Sequence, residues 1–256
     1  MNNVVWAEPR NITDIEDCYF YHTMDIPGHG TIQGEWDLRG KEAIYLGNVD
    51  LRGKRVLDLG TASGHLCFSM EKMGAEVVAY DLDEHQEWDI VPYAGFDYKE
   101  HIAIFKQHIR KLNNGYWLAH QANNSAAKVV YGTVYQIPES IGRFDVCTLG
   151  SILLHLRDPF LALQRVAAHV DETIIVADIL PNLRGRVFEY LSRRRLVHFF
   201  PNAKNCEPYD TWWKISPKTL SEFLQILGFE DIEIHYHKQL FKGVNAKLYT
   251  MVGHRK

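Results

Sequence analysis

The stretch Val56-Leu57-Asp58-Leu59-Gly60-Thr61-Ala62-Ser63-Gly64 constrains this chain more than any other. A short apolar run ends in a loop of small residues. A helical pattern follows at once through His65, Leu66, Phe68, Met70 and Met73. That order predicts strand, tight turn and helix, the opening of a nucleotide-binding α/β unit. Glycine at positions 60 and 64 lets the backbone turn sharply and lets a ligand come close to it. The free amides of the helix's first turn then face that ligand. A dinucleotide site wants G-x-G-x-x-G, whose middle glycine admits a pyrophosphate; here the middle position is Ala62, so a pyrophosphate fits poorly. Asp58 sits inside the strand end, where a carboxylate faces a cationic ligand through water or loop amides. A second strand, Glu76 to Tyr80, ends at Asp81, and an acid there accepts two hydrogen bonds from ribose hydroxyls. The bland alternative is a βαβ unit that binds nothing, or a different nucleotide.

The rest of the chain continues the alternation. Lys99 to Leu112 reads as a helix on the spacing of Ile102, Phe105, Ile109 and Leu112, ended by Asn113-Asn114-Gly115. Val129-Val130-Tyr131 is the third strand, followed by Gly132-Thr133-Val134. Phe144 to Leu149 is the fourth, running into Gly150-Ser151-Ile152-Leu153-Leu154-His155. Pro159 opens the next helix. Thr173 to Asp178 is the fifth strand, an unbroken apolar run of the kind buried on both faces. Residues 181–216 interrupt the pattern with Arg184, Arg186, Arg193, Arg194 and Arg195, and with Phe199-Phe200-Pro201 and Trp212-Trp213. Long insertions beyond strand ends are often functional, so this one reads as a substrate cap, although an arginine run by itself is usually a solvated helix face. Ser216-Pro217 caps a helix ended by Gly228, and two strands close the chain, Glu230 to His237 and Lys247 to Gly253. Residues 1–50 precede the first strand; they read either as a lid over the open end of the sheet or as an arm on its edge. The expected organisation is a single domain over 1–256: lid 1–50, cofactor-binding core 51–180, cap 181–216, and a C-terminal helix and strand pair 217–256.

V-L-D-L-G-x-x-x-G followed by A-Y-D resembles motifs I and II of the class I S-adenosylmethionine-dependent methyltransferases, and Arg143-Phe144-Asp145 matches the motif before their fourth strand. More loosely, E-W-D-L-R, a short helix, G-K-R-V-L-D-L-G and G-A-E-V-V-A-Y-D are similar to the branch containing carboxy-S-adenosylmethionine-dependent tRNA wobble-uridine enzymes. That likeness covers about residues 33–180, and the branch's K-x-G-P-W stretch is not found. The class I resemblance implies a Rossmann-like, seven-stranded, mostly parallel sheet whose seventh strand is antiparallel, with helices on both faces. It implies S-adenosylmethionine as cofactor, S-adenosylhomocysteine as product and no metal. The cofactor would be held by Asp58, Gly60, Thr61, Ala62, Ser63, Gly64, Asp81 and Leu82, by Thr133 and Val134 beside the adenine, by Gly150 and Ser151, and by Trp36. Many members have an acid where this chain offers only the Thr133 hydroxyl.

Where the acceptor is a hydroxyl or amine, a base must take its proton. His155 is the first candidate and His22 the second, since an imidazole titrates near neutrality. The alternative for His155 is a side chain packed beneath the cap. Tyr21, His155, Trp212 and Trp213 are the candidate acceptor-binding residues; with Trp36, the three aromatics among them can wall a sulfonium or an aromatic acceptor.

The net charge of −4 argues against a protein that coats nucleic acid. Cys18, Cys67, Cys147 and Cys206 have no close spacing, which excludes a zinc ribbon and C-x-x-C chemistry and suits a reduced cytosol. Cys67 and Cys147 read as buried thiols. The chain starts without a signal-peptide pattern and holds no run long enough to span a membrane. Three functions compete: methyl transfer to a small metabolite, modification of tRNA wobble uridine, and a non-catalytic S-adenosyl-ligand module. The acidic chain and aromatic cap favour the first, with a small-molecule acceptor, a cytoplasmic location and a possible homodimer.

Overall fold

The structure is a computed structural model that describes residues 3–86, 89–90, 93–95, 97–180 and 193–255. Arg184, Arg186 and the first part of the expected cap therefore lie outside the described residues.

The parallel core is built from β4 (Arg55–Leu59), β5 (Glu76–Asp81), β6 (Lys128–Tyr131), β7 (Phe144–Gly150) and β8 (Val170–Ile179). The hairpin of β11 (Glu230–Phe241) and β12 (Val244–His254) joins through β12, antiparallel to β8. The short β3 (Trp36–Asp37) then pairs with β11, giving an eight-stranded sheet in the order β3-β11-β12-β8-β7-β4-β5-β6. This is the expected Rossmann-like sheet with one further edge strand, supplied by the segment ahead of the core. Two-residue pairing is too short to leave a periodicity in the sequence.

Alternate residues of each core strand face opposite layers. Val56 packs with Cys67, Met70 and Trp117 on one face. Leu57 and Leu59 pack with Leu163, Val166 and Leu220 on the other. A strand covered on both sides has no polar face, hence the continuous apolar runs. The first layer is formed by α2 (His65–Lys72) and α3 (Lys99–Ala122), the second by α4 (Pro159–Ala167) and α5 (Pro217–Ile226). The capping chemistry read from sequence is present: Asp158 accepts from Leu161 N at 2.9 Å and Ser216 accepts from Thr219 N at 3.2 Å. Cys67 and Cys147 are buried, and burial pushes both thiols well up. Among the described residues no helix is long and apolar enough to cross a membrane.

One helix end differs from expectation. Asn113-Asn114-Gly115 does not stop α3, which continues to Ala122. Both asparagines are buried and occupied: Asn113 Nδ2 donates to Leu82 O at 3.1 Å and Asn114 Nδ2 to Asp17 O at 3.0 Å. Tertiary contacts override the local preference of these residues for turns. Gly115 is there for space, since a Cβ on it would lie 2.5 Å from the carbonyl oxygen of Tyr19. Gly115→Ala is therefore expected to destabilise by about 1–3 kcal/mol through overpacking. Without that contact, alanine's better helix propensity would stabilise by about 1 kcal/mol. Urea unfolding reads the sign, and a raised midpoint would refute the close approach of Tyr19.

The first residues run along the edge of the sheet, with Ala7 N donating to Val129 O at 2.8 Å. The chain then passes α3, where Tyr19 N donates to Lys111 O at 2.9 Å, and reaches β3 at the opposite edge. Between these points lie β1 (Met24–Ile26) and β2 (Gly30–Ile32), a small hairpin. His22 passes directly by the glycine loop, its backbone N 3.5 Å from Ser63 Oγ.

Candidate active site

The site is built where four neighbouring parallel strands end. Asp81 ends β5, Gly60 follows β4, Gly150 ends β7 and Asp178 is the penultimate residue of β8. Register makes them adjacent: Leu59 lies beside both Tyr80 and Leu149, and Gly150 beside Ala177. Ligands of open α/β sheets bind beyond these carboxyl ends.

The glycine loop has a defined shape. Gly60 has φ +74° and donates to Tyr80 O at 2.8 Å. A Cβ there would collide with Ile152, in the loop after β7. Gly64, with φ +87°, caps α2, and a Cβ on it would lie 2.5 Å from the Phe68 ring and 2.8 Å from Tyr116. Asp81 holds the loop to β5. Its Oδ2 accepts from Ala62 N and its Oδ1 from Leu82 N, each at 2.7 Å. Burial pushes its carboxyl up to about 6, opposed by those two amides. Each oxygen retains a lone pair, so the group remains able to accept from a diol.

Asp58 does not reach the loop amides. Its Oδ1 accepts from Thr148 Oγ1 at 2.6 Å, a bond between adjacent strands. Burial raises its carboxyl, and the hydroxyls of Thr148 and Thr61 offset part of that rise. Of the buried polar atoms here, His22 Nδ1 has no hydrogen-bond partner among the described residues, the Thr61 hydroxyl faces the Asp58 carboxyl, and His65 Nε2 lies 3.3 Å from Glu42 Oε1. Buried polar atoms are nearly always hydrogen-bonded. Their gathering around one glycine loop fits a polar ligand such as an S-adenosyl compound.

The two histidines proposed from sequence differ in kind. His22 is buried beside His65, with ring centroids 5.7 Å apart. Burial first, and then the His65 charge, push it down to about 3. It is neutral at physiological pH and is a poor proton acceptor there. His155 lies in the short 3-10 turn Leu153–His155 and is half-buried. Its Nδ1 is 2.7 Å from the carbonyl oxygen of Asp210. A carbonyl only accepts, so Nδ1 carries the proton and Nε2 is left as the acceptor nitrogen, the tautomer a base requires.

The aromatics are mostly held by the protein itself. Trp36 is buried against Phe241 and donates to Tyr21 OH at 3.1 Å. Trp212 donates through Nε1 to Asp89 O at 2.8 Å and through its backbone N to Leu154 O at 2.8 Å. Trp213 donates to Arg157 O at 3.1 Å. The two tryptophans thus fasten the segment of β9 (Val197–Phe199) and β10 (Trp213–Ile215) to the turn carrying His155. Thr133 Oγ1 accepts from Tyr135 N at 3.2 Å, which engages the hydroxyl in its own turn, and Val134 is buried beside it. Ser151 has φ +52° and donates its N–H to Ala177 O at 2.8 Å. Arg195 pairs with Glu222 at 3.1 Å, a surface contact. Among the described residues no group of three or more His, Cys, Asp or Glu is placed to hold a metal ion.

Sheet order and glycine-loop site together define the class I methyltransferase fold. Residues 38–234 match the methyltransferase domain family, and the chain belongs to that family of S-adenosylmethionine-dependent enzymes. No curated protein sequence matches it. Solved structures agree in fold. The N-terminal domain of EvdMO1, crystallised with S-adenosylhomocysteine and D-fucose, is 16% identical with a TM-score of 0.56, over 94% of this chain and 93% of that one. The 1,6-didemethyltoxoflavin-N1-methyltransferase of Burkholderia thailandensis, bound to 1,6-didemethyltoxoflavin and S-adenosylhomocysteine, is 16% identical with a TM-score of 0.53, over 86% and 78%. The magnesium protoporphyrin IX methyltransferase of Synechocystis PCC 6803, bound to S-adenosylhomocysteine, is 14% identical with a TM-score of 0.52, over 84% and 80%.

Proposed function

We propose that this methyltransferase transfers a methyl group to an oxygen or nitrogen of a small-molecule acceptor by in-line displacement. One observation carries the reading. The same row of strand ends has a ribose-competent carboxylate, Asp81, at the end of β5 and a base-competent nitrogen, His155 Nε2, in the turn that follows β7, two strands away. Asp81 and Leu82 would hold the ribose, the Gly60–Gly64 loop the amino-acid part, and Val134 the adenine. S-adenosylmethionine, when bound, supplies a methyl already activated by the sulfonium charge. The protein's part is then alignment, exclusion of water and removal of a proton. Gly60 and Gly64 let the loop pack closely on Ile152 and on Phe68 and Tyr116. Trp212 and Trp213 hold the β9–β10 segment against the His155 turn. The segment around Tyr21 and His22 covers the glycine loop as a lid. His155 Nε2 takes the acceptor's proton while Asp210 O retains the Nδ1 proton.

The named compounds of the similar methyltransferases support a small acceptor, since 1,6-didemethyltoxoflavin and magnesium protoporphyrin IX are both small molecules. The formal net charge of −4 favours such an acceptor over a polyanion. Calorimetry tests the cofactor half of the reading. Micromolar-range binding of S-adenosylmethionine or S-adenosylhomocysteine is expected. No heat from either, alongside binding of NAD, would overturn it. Mass spectrometry of co-purified small molecules then seeks the acceptor.

A further inference from the structure

The N-terminal arm precedes the matched methyltransferase domain, yet it reaches Asp81's side of the site through one side chain, Arg10. The guanidinium sits where three elements meet. Its Nη2 pairs with Glu84 Oε2 at 3.0 Å, in the loop after β5. Its Nη1 donates to Asn114 Oδ1 at 3.3 Å, on α3. Its central carbon lies 5.8 Å from the ring centroid of Tyr131, the last residue of β6 and the register neighbour of Asp81. An exposed ion pair alone contributes little. Here the two side chains are only 28% and 23% exposed, and the guanidinium has two further partners. Burial opposes the Glu84 charge, yet its own backbone N–H and Arg10 hold the carboxyl below its ordinary pKa.

The loop that Arg10 grips is the one that follows the ribose-competent carboxylate. Asp81, Asp83 and Glu84 put three acids within four residues, and like charges so close repel. Among the described residues Arg10 is the one cation in ion-pair contact with them. Leu82 between them is held at both ends. Its N donates to Asp81 Oδ1 at 2.7 Å and its O accepts from Asn113 Nδ2 at 3.1 Å. Asn114 holds Arg10 with its oxygen and Asp17 O with its nitrogen, the latter at 3.0 Å. Only this orientation of the amide satisfies both, since a guanidinium only donates and a carbonyl only accepts. Gly115 admits Tyr19 O. Three consecutive residues of α3 thus serve the loop, Arg10 and the arm, which explains two asparagines and a glycine inside a helix whose propensity they lower. The arm then runs past the glycine loop at His22 and through α1 (Glu42–Tyr45) into β4.

We propose that Arg10 is a positioning residue for the cofactor: it joins the N-terminal arm, α3 and residues 82–84 into one brace that holds Asp81 and Leu82 where ribose hydroxyls meet them. Arg10 touches no reacting atom. The proposal rests on the methyl-transfer reading and adds that cofactor affinity is set partly by a residue outside the matched domain. Without Arg10, Glu84 is a partly buried acid with no counter-charge, and it is driven toward water. That movement pulls on Leu82, two residues away, whose N–H belongs to Asp81. Part of the binding free energy is then consumed in re-ordering the loop.

The test needs no acceptor. S-adenosylhomocysteine affinity is measured by calorimetry on the full chain for the wild type, Arg10→Met, Glu84→Met, the double variant and Arg10→Lys, each with its melting curve. Either methionine variant should weaken binding by about three- to thirtyfold. The double variant should bind no more weakly than the worse single one, because the same pair is broken in all three. Arg10→Lys should recover part of the loss, since an ammonium pairs with Glu84 but lacks the fork that also reaches Asn114. A merely structural arm gives another pattern: Arg10→Met then lowers the melting temperature alone, and Glu84→Met keeps the wild-type affinity. Unchanged affinity in Arg10→Met, or losses that multiply in the double variant, overturns the proposal. Should Arg10→Met not fold, wild-type affinity in Glu84→Met overturns it equally. Failure of the wild type to bind S-adenosylhomocysteine would instead overturn the methyl-transfer reading.

Discussion

His155→Ala is expected to lower turnover by about 10²–10⁴, the usual range for a positioned base. Cofactor affinity should change little, because the glycine loop and Asp81 are untouched. The expectation rests on the tautomer. Asp210 O fixes the proton on Nδ1, so Nε2 has its lone pair available without rearrangement. A merely structural histidine would behave differently. The Nδ1 contact ties the β9–β10 segment to the strand end, so its loss alone would raise KM and leave kcat intact. Release of S-adenosylhomocysteine, followed at varied acceptor concentration once an acceptor is in hand, separates the two. A mutant with near-normal kcat would remove His155 from the chemistry. His22 would not replace it, because burial and His65 hold it neutral far below physiological pH.

The parts of this site legible in sequence are those made by adjacent residues. The run from Val56 to Gly64 specified strand, turn and helix, because an apolar strand and glycines needing positive φ leave few alternatives. Asp81 was legible because it ends the next strand, and its bonds to Ala62 N and Leu82 N are local to that unit. What stayed hidden was made by residues distant in sequence. Asn113-Asn114-Gly115 has the composition of a helix stop, yet Leu82, Asp17 and Tyr19 turn it into helix interior. Trp36 and Trp212 do not show in sequence which groups hold them: Tyr21 OH and Asp89 O accept from their N–H groups. His22 and His155 look alike in sequence. They are separated by burial and by what lies across them, His65 for one and the Asp210 carbonyl for the other. Asp178 reads as the end of a strand until sheet order puts it beside Ser151.

Asp81→Asn is expected to weaken S-adenosylhomocysteine binding by roughly 10- to 200-fold, about 1.4–3 kcal/mol. An asparagine has one oxygen, so it cannot accept from Ala62 N, Leu82 N and a diol together, and its amide hydrogens oppose the backbone donor left over. The pH dependence follows from the carboxyl's raised pKa. In the ligand-free protein Asp81 ionises at about 6, above the value near 4 of an unfolded chain. Its neutral form therefore favours the fold. That contribution is complete below about pH 4 and is lost as pH rises through about 6. Ribose hydroxyls reverse the preference, because they donate and so favour the anion. Binding should release a proton below pH 6, and affinity should fall there by up to about tenfold per pH unit. The measurement is the rise in melting temperature on saturation with S-adenosylhomocysteine. In the wild type that rise should grow from pH 5 to pH 7.5. In Asp81→Asn it should be small and flat. If the mutant kept the wild-type slope, the ribose would be held by another group, and the glycine loop alone would carry the affinity.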